Sequence, residues 1–125
     1  MIQKNPVGWF EIYVNDMDRA KKFYAAVFKR GEFLKLSDGQ TEMYAFPWVE
    51  NGINSSGALV KTEAIKPGQG GIIIYFSCED CAVEEQLSFE NGGNIIKSKF
   101  SIGDYGFVSI VQDTEGNMIG LHSNK

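Results

Sequence analysis

The sequence predicts an α+β protein made of two similar βαβββ halves in one chain, and three observations carry that expectation. Displacing the chain by 64 positions aligns Asp16 with Asp80, Gly39 with Gly103 and Gly52 with Gly116. An alternating apolar segment precedes each aspartate, GWFEIYV in the first half and GIIIYFS in the second. A helical pattern and three short extended segments follow each one.

In the first half, Met17, Ala20, Phe23, Tyr24, Val27 and Phe28 recur at three- and four-residue steps and form one apolar stripe. Asp16 suits the N-cap of that helix, where a carboxylate accepts otherwise unpaired backbone N–H groups. Extended segments are expected at about Phe33–Leu36, Glu42–Phe46 and Gly57–Lys61, with a turn at Asn51-Gly52. Lys66 to Gly71, rich in glycine with one proline, reads as the connection between halves.

Asp80 is expected to cap the second helix, with Val83 and Leu87 inward and Glu84, Glu85 and Gln86 outward, ending at Gly92-Gly93. Strands are expected at Ile95–Lys99, Phe107–Gln112 and Met118–His122, the last two joined by a turn at Glu115-Gly116-Asn117. The expectation is one domain over 1–125: a first half at about 7–65, a linker at about 66–70 and a second half at about 71–125.

Composition fits a globular core: 43% of the 125 residues are hydrophobic and 13% aromatic. A formal net charge of −4 and the lack of a basic run argue against nucleic acid as a partner. The opening MIQKNPVGW has no apolar signal segment, and the run from Ile72 to Phe76 is too short to span a bilayer. A cytoplasmic protein with no membrane partner is therefore expected. Cys78 and Cys81, the two cysteines, are no disulfide framework, and one CxxC supplies half the soft ligands of a structural zinc site.

Period-two alternation sorts each strand into two faces. Phe10, Ile12 and Val14 form an apolar set expected to pack under the helix, joined by Ile74 and Phe76, and by Ile119 and Leu121. Trp9, Glu11 and Tyr13 share the opposite face with Ile73, Tyr75 and Ser77, and with Gly120 and His122. Glu11 is the most informative of these, because a carboxylate in a core strand is costly to bury unless paired or hydrated. It reads either as a base, ligand or cation anchor, or as a carboxylate satisfied by a neighbouring hydroxyl, imidazole or water. His122 is the only histidine, so any imidazole chemistry falls to it. Trp9, Tyr13, Tyr75 and Trp48 are candidates to line a pocket, or simply to pack.

The repeat, together with GWFEIYVNDMDRAKKFYAAVF, GGIIIYFSCED with its ENGG, and the ending DTEGNMIGLHS, resembles the vicinal oxygen chelate superfamily. That superfamily holds glyoxalase I, bleomycin- and fosfomycin-resistance proteins and type I extradiol dioxygenases. Within it, the likeness is to a branch of small glyoxalase-like proteins. The resemblance implies a curved mixed sheet around a cavity, and a homodimer. It also implies metal-ligand positions at Trp9, Ile73 and Gly120, with Ser56 the symmetric place in the first half. None of Trp9, Ile73 and Gly120 can ligate a divalent metal through its side chain, so the usual triad is missing.

The resulting expectation is a glyoxalase-like protein with no cofactor. It would hold a small organic ligand by Glu11 and His122 together with Trp9, Tyr13, Tyr75 and Trp48. The alternative is a lyase or isomerase in which Glu11 acts as base and His122 polarises an oxygen, or in which both hold a divalent metal.

Overall fold

Each helix starts at one of the two repeat-related aspartates. The computed structural model describes residues 5–28, 31–68, 70–114 and 116–125. Asp16 accepts the Arg19 backbone N–H at 3.0 Å, and that bond holds its carboxyl below the usual carboxylate range. Helix α1 (Met17–Phe28) follows. Asp80 accepts the Ala82 N–H at 3.0 Å and opens α2 (Cys81–Glu90). Gly92, at φ 96°, turns the chain away after α2.

The chain divides into two compact units, one running from Trp9 to Ile72, the other taking the chain up to Gly8 and again from Ile73 to Lys125. In the first unit β1 (Val7–Tyr13), whose first two residues belong to the other unit, runs parallel to β4 (Gly57–Lys61). β4 pairs antiparallel with β3 (Glu42–Ala45), and β3 with β2 (Leu34–Lys35). Ala58, Leu59 and Val60 of β4 are all buried, with Ala45 and Met17.

In the second unit β5 (Ile72–Ser77) runs parallel to β8 (Met118–Ser123). β8 pairs antiparallel with β7 (Phe107–Gln112), and β7 with β6 (Asn94–Ser101). A short 3-10 turn at Gly103–Tyr105 joins β6 to β7. Cys81, Val111 and Leu121 form the core here, with Phe76, Phe107 and Ile119 packed against it.

The α+β class with two βαβββ modules is thus as the sequence predicts. Gln69 of the expected linker and Glu115 of the expected turn lie outside the described residues.

Two expectations are corrected. Val83 and Leu87 do not face inward: they are 54% and 49% exposed. Instead Glu85 turns toward the sheet, where its Oε1 accepts the Lys99 backbone N–H at 2.6 Å and the Ser109 hydroxyl at 2.7 Å. Charge-assisted bonds of that length outweigh the weak apolar pull of two side chains on an otherwise polar helix.

The expected core face is borne out at Phe76, Ile119 and Leu121, which lie in the core of the second unit. It is reversed in burial along β1 and at Ile73 and Ile74. Glu11, Tyr13, Ile73 and Tyr75 are buried, whereas Ile12 and Val14 are half-buried and Ile74 is exposed. Ile12 and Val14 line an open groove beside Ala20, Phe23 and Tyr24 of α1, so the helix does not close over them.

Candidate functional site

Alternation along β1 puts Trp9, Glu11 and Tyr13 on one face, and there the structure assembles a polar cluster inside the first unit. Glu11 is only 7% exposed and stands opposite Ala58 in the β1–β4 register. The Tyr13 hydroxyl donates to its Oε1 at 2.7 Å, and the Trp9 indole N–H donates to its Oε2 at 3.3 Å. Both carboxylate oxygens therefore have a neutral donor, which offsets part of the cost of burying the group and fixes its plane.

Trp48, beyond the end of β3, sets its ring edge-on to Trp9, with centroids 6.2 Å apart at 77°. It remains 42% exposed. Trp48, Trp9, Glu11 and Tyr13 thus form a continuous chain of contacts from an exposed ring to a buried carboxylate. A pattern reading finds the three β1 residues, because they alternate. It gives no warrant for joining Trp48 to them, since that contact comes from an irregular segment.

Tyr75 and His122 belong to the other unit. Tyr75 is buried, and its ring lies against Gly120, its register partner on β8. The Nε2 of His122 is bonded to the backbone carbonyl of Tyr105. A carbonyl can only accept, so Nε2 carries the proton, and Nδ1 is an acceptor in the neutral ring. Polarising a substrate oxygen from Nδ1 requires the imidazolium form.

The side chains at Trp9, Ile73, Ser56 and Gly120, where the resemblance implies metal-ligand positions, do not fit a divalent metal. Trp9 offers only a donor, already directed at Glu11. Ile73 is a buried aliphatic, and the Ser56 hydroxyl donates to the Phe46 carbonyl at 3.3 Å. At Gly120, a Cβ would run into Cδ1 and Cε1 of Tyr75 and lie 2.8 Å from its Cγ. The ring occupies the room a longer side chain needs. Among the described residues, no three His, Cys, Asp or Glu side chains are grouped so as to hold a metal ion.

The CxxC pair is equally unsuited to thiolate chemistry. Burial, and then the nearby Glu84 carboxylate, push the Cys78 thiol up to about 12, and Cys81 is fully buried in the core. The environment of Cys78, and with it the inward turn of Glu84, has no signature in the sequence. Glu84 sits in a run that reads as a solvated face.

A strand-helix-three-strand module, repeated, with each helix capped by an aspartate, defines the vicinal oxygen chelate, or glyoxalase I-like, fold. Solved structures with that fold match nearly the whole chain. A methylmalonyl-CoA epimerase variant of Streptomyces coelicolor, in complex with 2-nitronate-propionyl-CoA, matches with TM-score 0.68 at 13% identity, over 94% of this chain and 96% of its own. A hypothetical protein of Bacillus halodurans matches with TM-score 0.73 at 17% identity, over 98% and 96%. Methylmalonyl-CoA epimerase from Mycobacterium tuberculosis matches with TM-score 0.65 at 11% identity, over 100% and 93%. No family model and no curated protein sequence matches the chain. At such identities the likeness is one of fold, and the fold hosts many chemistries. No helix among the described residues is long and apolar enough to cross a membrane.

Proposed function

We propose that this protein binds a small organic ligand at Glu11 without a metal, using Trp9, Tyr13 and Trp48 as the apolar and π-rich surround. The observation that carries the reading is the buried Glu11 carboxylate, gripped by an indole N–H and a phenol O–H beside an accessible tryptophan pair. Aromatic faces next to a carboxylate favour a cationic, partly aromatic ligand.

The test is titration of tryptophan fluorescence with benzylammonium and with benzyl alcohol of the same shape. Saturable quenching by the cation is expected. Replacing Glu11 with glutamine should weaken it at least about tenfold, the equivalent of ~1.4 kcal/mol. Equal response to both probes, or no effect of the substitution, would end this reading.

A second reading keeps the same carboxylate as a base, and the epimerases among the structures of this fold favour it. Glu11 would take the proton beside a thioester carbonyl and return it to the same carbon. Incubation with methylmalonyl-CoA in deuterium oxide tests it: label entering at that carbon, and lost in Glu11→Gln, supports the enzyme. An unlabelled substrate after prolonged incubation leaves the binding role.

The protein would work as a homodimer, a state that the exposed Phe23, Val27 and Phe28 on α1 suit. Equilibrium sedimentation reads this directly, and a monomer at micromolar concentration would count against it.

A further inference from the structure

The chain contains two asparagine–glycine pairs, Asn51-Gly52 and Asn91-Gly92. Such a pair can modify itself, because the glycine backbone nitrogen is able to attack Cγ of the asparagine side chain. Glycine favours the attack, having no Cβ to shield its nitrogen. Folding decides whether the two atoms meet, and it treats the two pairs differently.

Asn91 closes α2 and is held there. Its Nδ2 donates to the Leu87 carbonyl at 2.8 Å, its backbone N–H to the same carbonyl at 3.0 Å, and the Gly92 N–H to the Phe89 carbonyl at 3.4 Å. The side chain is drawn back along the helix, so attack there requires the end of α2 to unwind.

Asn51 lies in the irregular segment between β3 and β4, where residues 47–54 are all exposed. Its side chain has no hydrogen-bond partner among the described residues. The turn is closed by the bond from the Gly52 N–H to the Val49 carbonyl at 2.9 Å. Asn51 sits at φ 60°, a left-handed conformation that residues with a Cβ adopt at a cost, so opening the turn relieves it.

We propose that Asn51 is a site of spontaneous deamidation in the folded protein, with water as the co-reactant. The Gly52 nitrogen gives its proton to hydroxide and bonds to Asn51 Cγ. The Cγ–Nδ2 bond breaks, and ammonia leaves with a proton taken from water. Water then opens the cyclic imide at either carbonyl, giving aspartate or isoaspartate. Asparagine and water thus become the acid and ammonia, and nothing is oxidised or reduced. While the imide lasts, its nitrogen has no hydrogen to give Val49, and the turn loses its closing bond. The product carries an added negative charge in the segment that also bears Trp48. The inference stands on this turn and not on the role of Glu11.

The experiment is incubation of the full chain in heavy-oxygen water at mildly alkaline pH, both folded and unfolded in urea. Peptide mass spectrometry, after digestion in ordinary water, reads the label and the isoaspartate at each asparagine. In urea both pairs should label at similar rates. In the folded chain Asn51 should outrun Asn91 by about tenfold or more, because attack at Asn91 must break two further hydrogen bonds. Asn51→Gln should lower ammonia release and leave the label at Asn91 unchanged. Equal rates at the two pairs in the folded chain overturn the proposal, and so does an Asn51 that labels only after unfolding. Label at Asn54 in place of Asn51 would also overturn it.

Discussion

Replacing Gly120 with alanine should destabilise the protein through one contact, with the Tyr75 ring. The backbone at Gly120 does not need glycine, since it is not among the residues at positive φ. The obstacle is steric: a Cβ would overlap Cδ1 and Cε1 of Tyr75 and stand 2.8 Å from Cγ. Tyr75 is buried and cannot swing clear. Overpacking of this kind costs about 1–3 kcal/mol. Against it stands the loss of unfolded-chain freedom on going from Gly to Ala, worth about 0.4–1 kcal/mol in favour of the variant. The net expectation is a loss of roughly 0–2.6 kcal/mol in urea or thermal unfolding.

The decisive arm is the background. In Tyr75→Ala the ring is gone, so Gly120→Ala should become neutral or stabilising. In Tyr75→Phe the ring persists, so the penalty should persist with it. The two substitutions are therefore strongly coupled, and a double-mutant cycle isolates that coupling from the separate cost of losing Tyr75. A penalty of equal size in all three backgrounds would refute the steric argument.

Further expectations concern titrating groups. With its thiol raised to about 12, Cys78 should react with a disulfide reagent at pH 8 about a thousandfold more slowly than an ordinary thiol. Rapid labelling of the native protein would contradict that. A group raised in the folded state stabilises below its ordinary pKa, so Cys78 predicts stability falling as pH climbs from about 9 toward 12. The Lys99 ammonium, bonded to Asp80 at 2.8 Å, holds the Asp80 carboxyl below the usual range, and Asp80 in turn raises Lys99. The aspartate's contribution is present above its ordinary pKa and lost as pH falls through the lowered one. The lysine's is present below its ordinary pKa and lost as pH rises through the raised one. The Tm gap between wild type and Lys99→Met should therefore be flat from about pH 5 to 9 and close at both extremes. A gap that never changes with pH would show that the ion pair is not its source.

The modules were legible because their signals are local. Asp16 and Asp80 cap helices in the structure as their spacing implies, and the Gly57–Lys61 and Phe107–Gln112 strands fall where alternation places them. Which face is covered was not legible. Alternation sorts Ile73 from Ile74 but cannot rank two aliphatic sets, and burial of one of them is decided by tertiary packing. The inward turn of Glu85 escapes a pattern reading for a related reason: its partners, Lys99 N–H and Ser109, are remote in sequence. The β1 part of the Glu11 cluster was legible because Trp9, Glu11 and Tyr13 sit two residues apart on one strand. The contacts of Trp48 with Trp9 and of Glu84 with Cys78 are ones that no periodicity encodes.

Pro6 to Gly8 have their place in the unit whose other residues come after Ile72. Pro6 accepts the Ser77 backbone N–H at 2.8 Å, and Gly8 lies so close to the Ser77 side chain that a Cβ there would strike it. During synthesis Pro6 to Gly8 leave the ribosome well before their partners, which follow only after the whole of Trp9 to Ile72 has been made. The second unit cannot close as a contiguous stretch, and its last hydrogen bonds must wait for a long loop to come round. A change at Pro6 or Gly8 is thus an intervention on the unit that follows Ile72, and damage would first appear in the packing around Ser77.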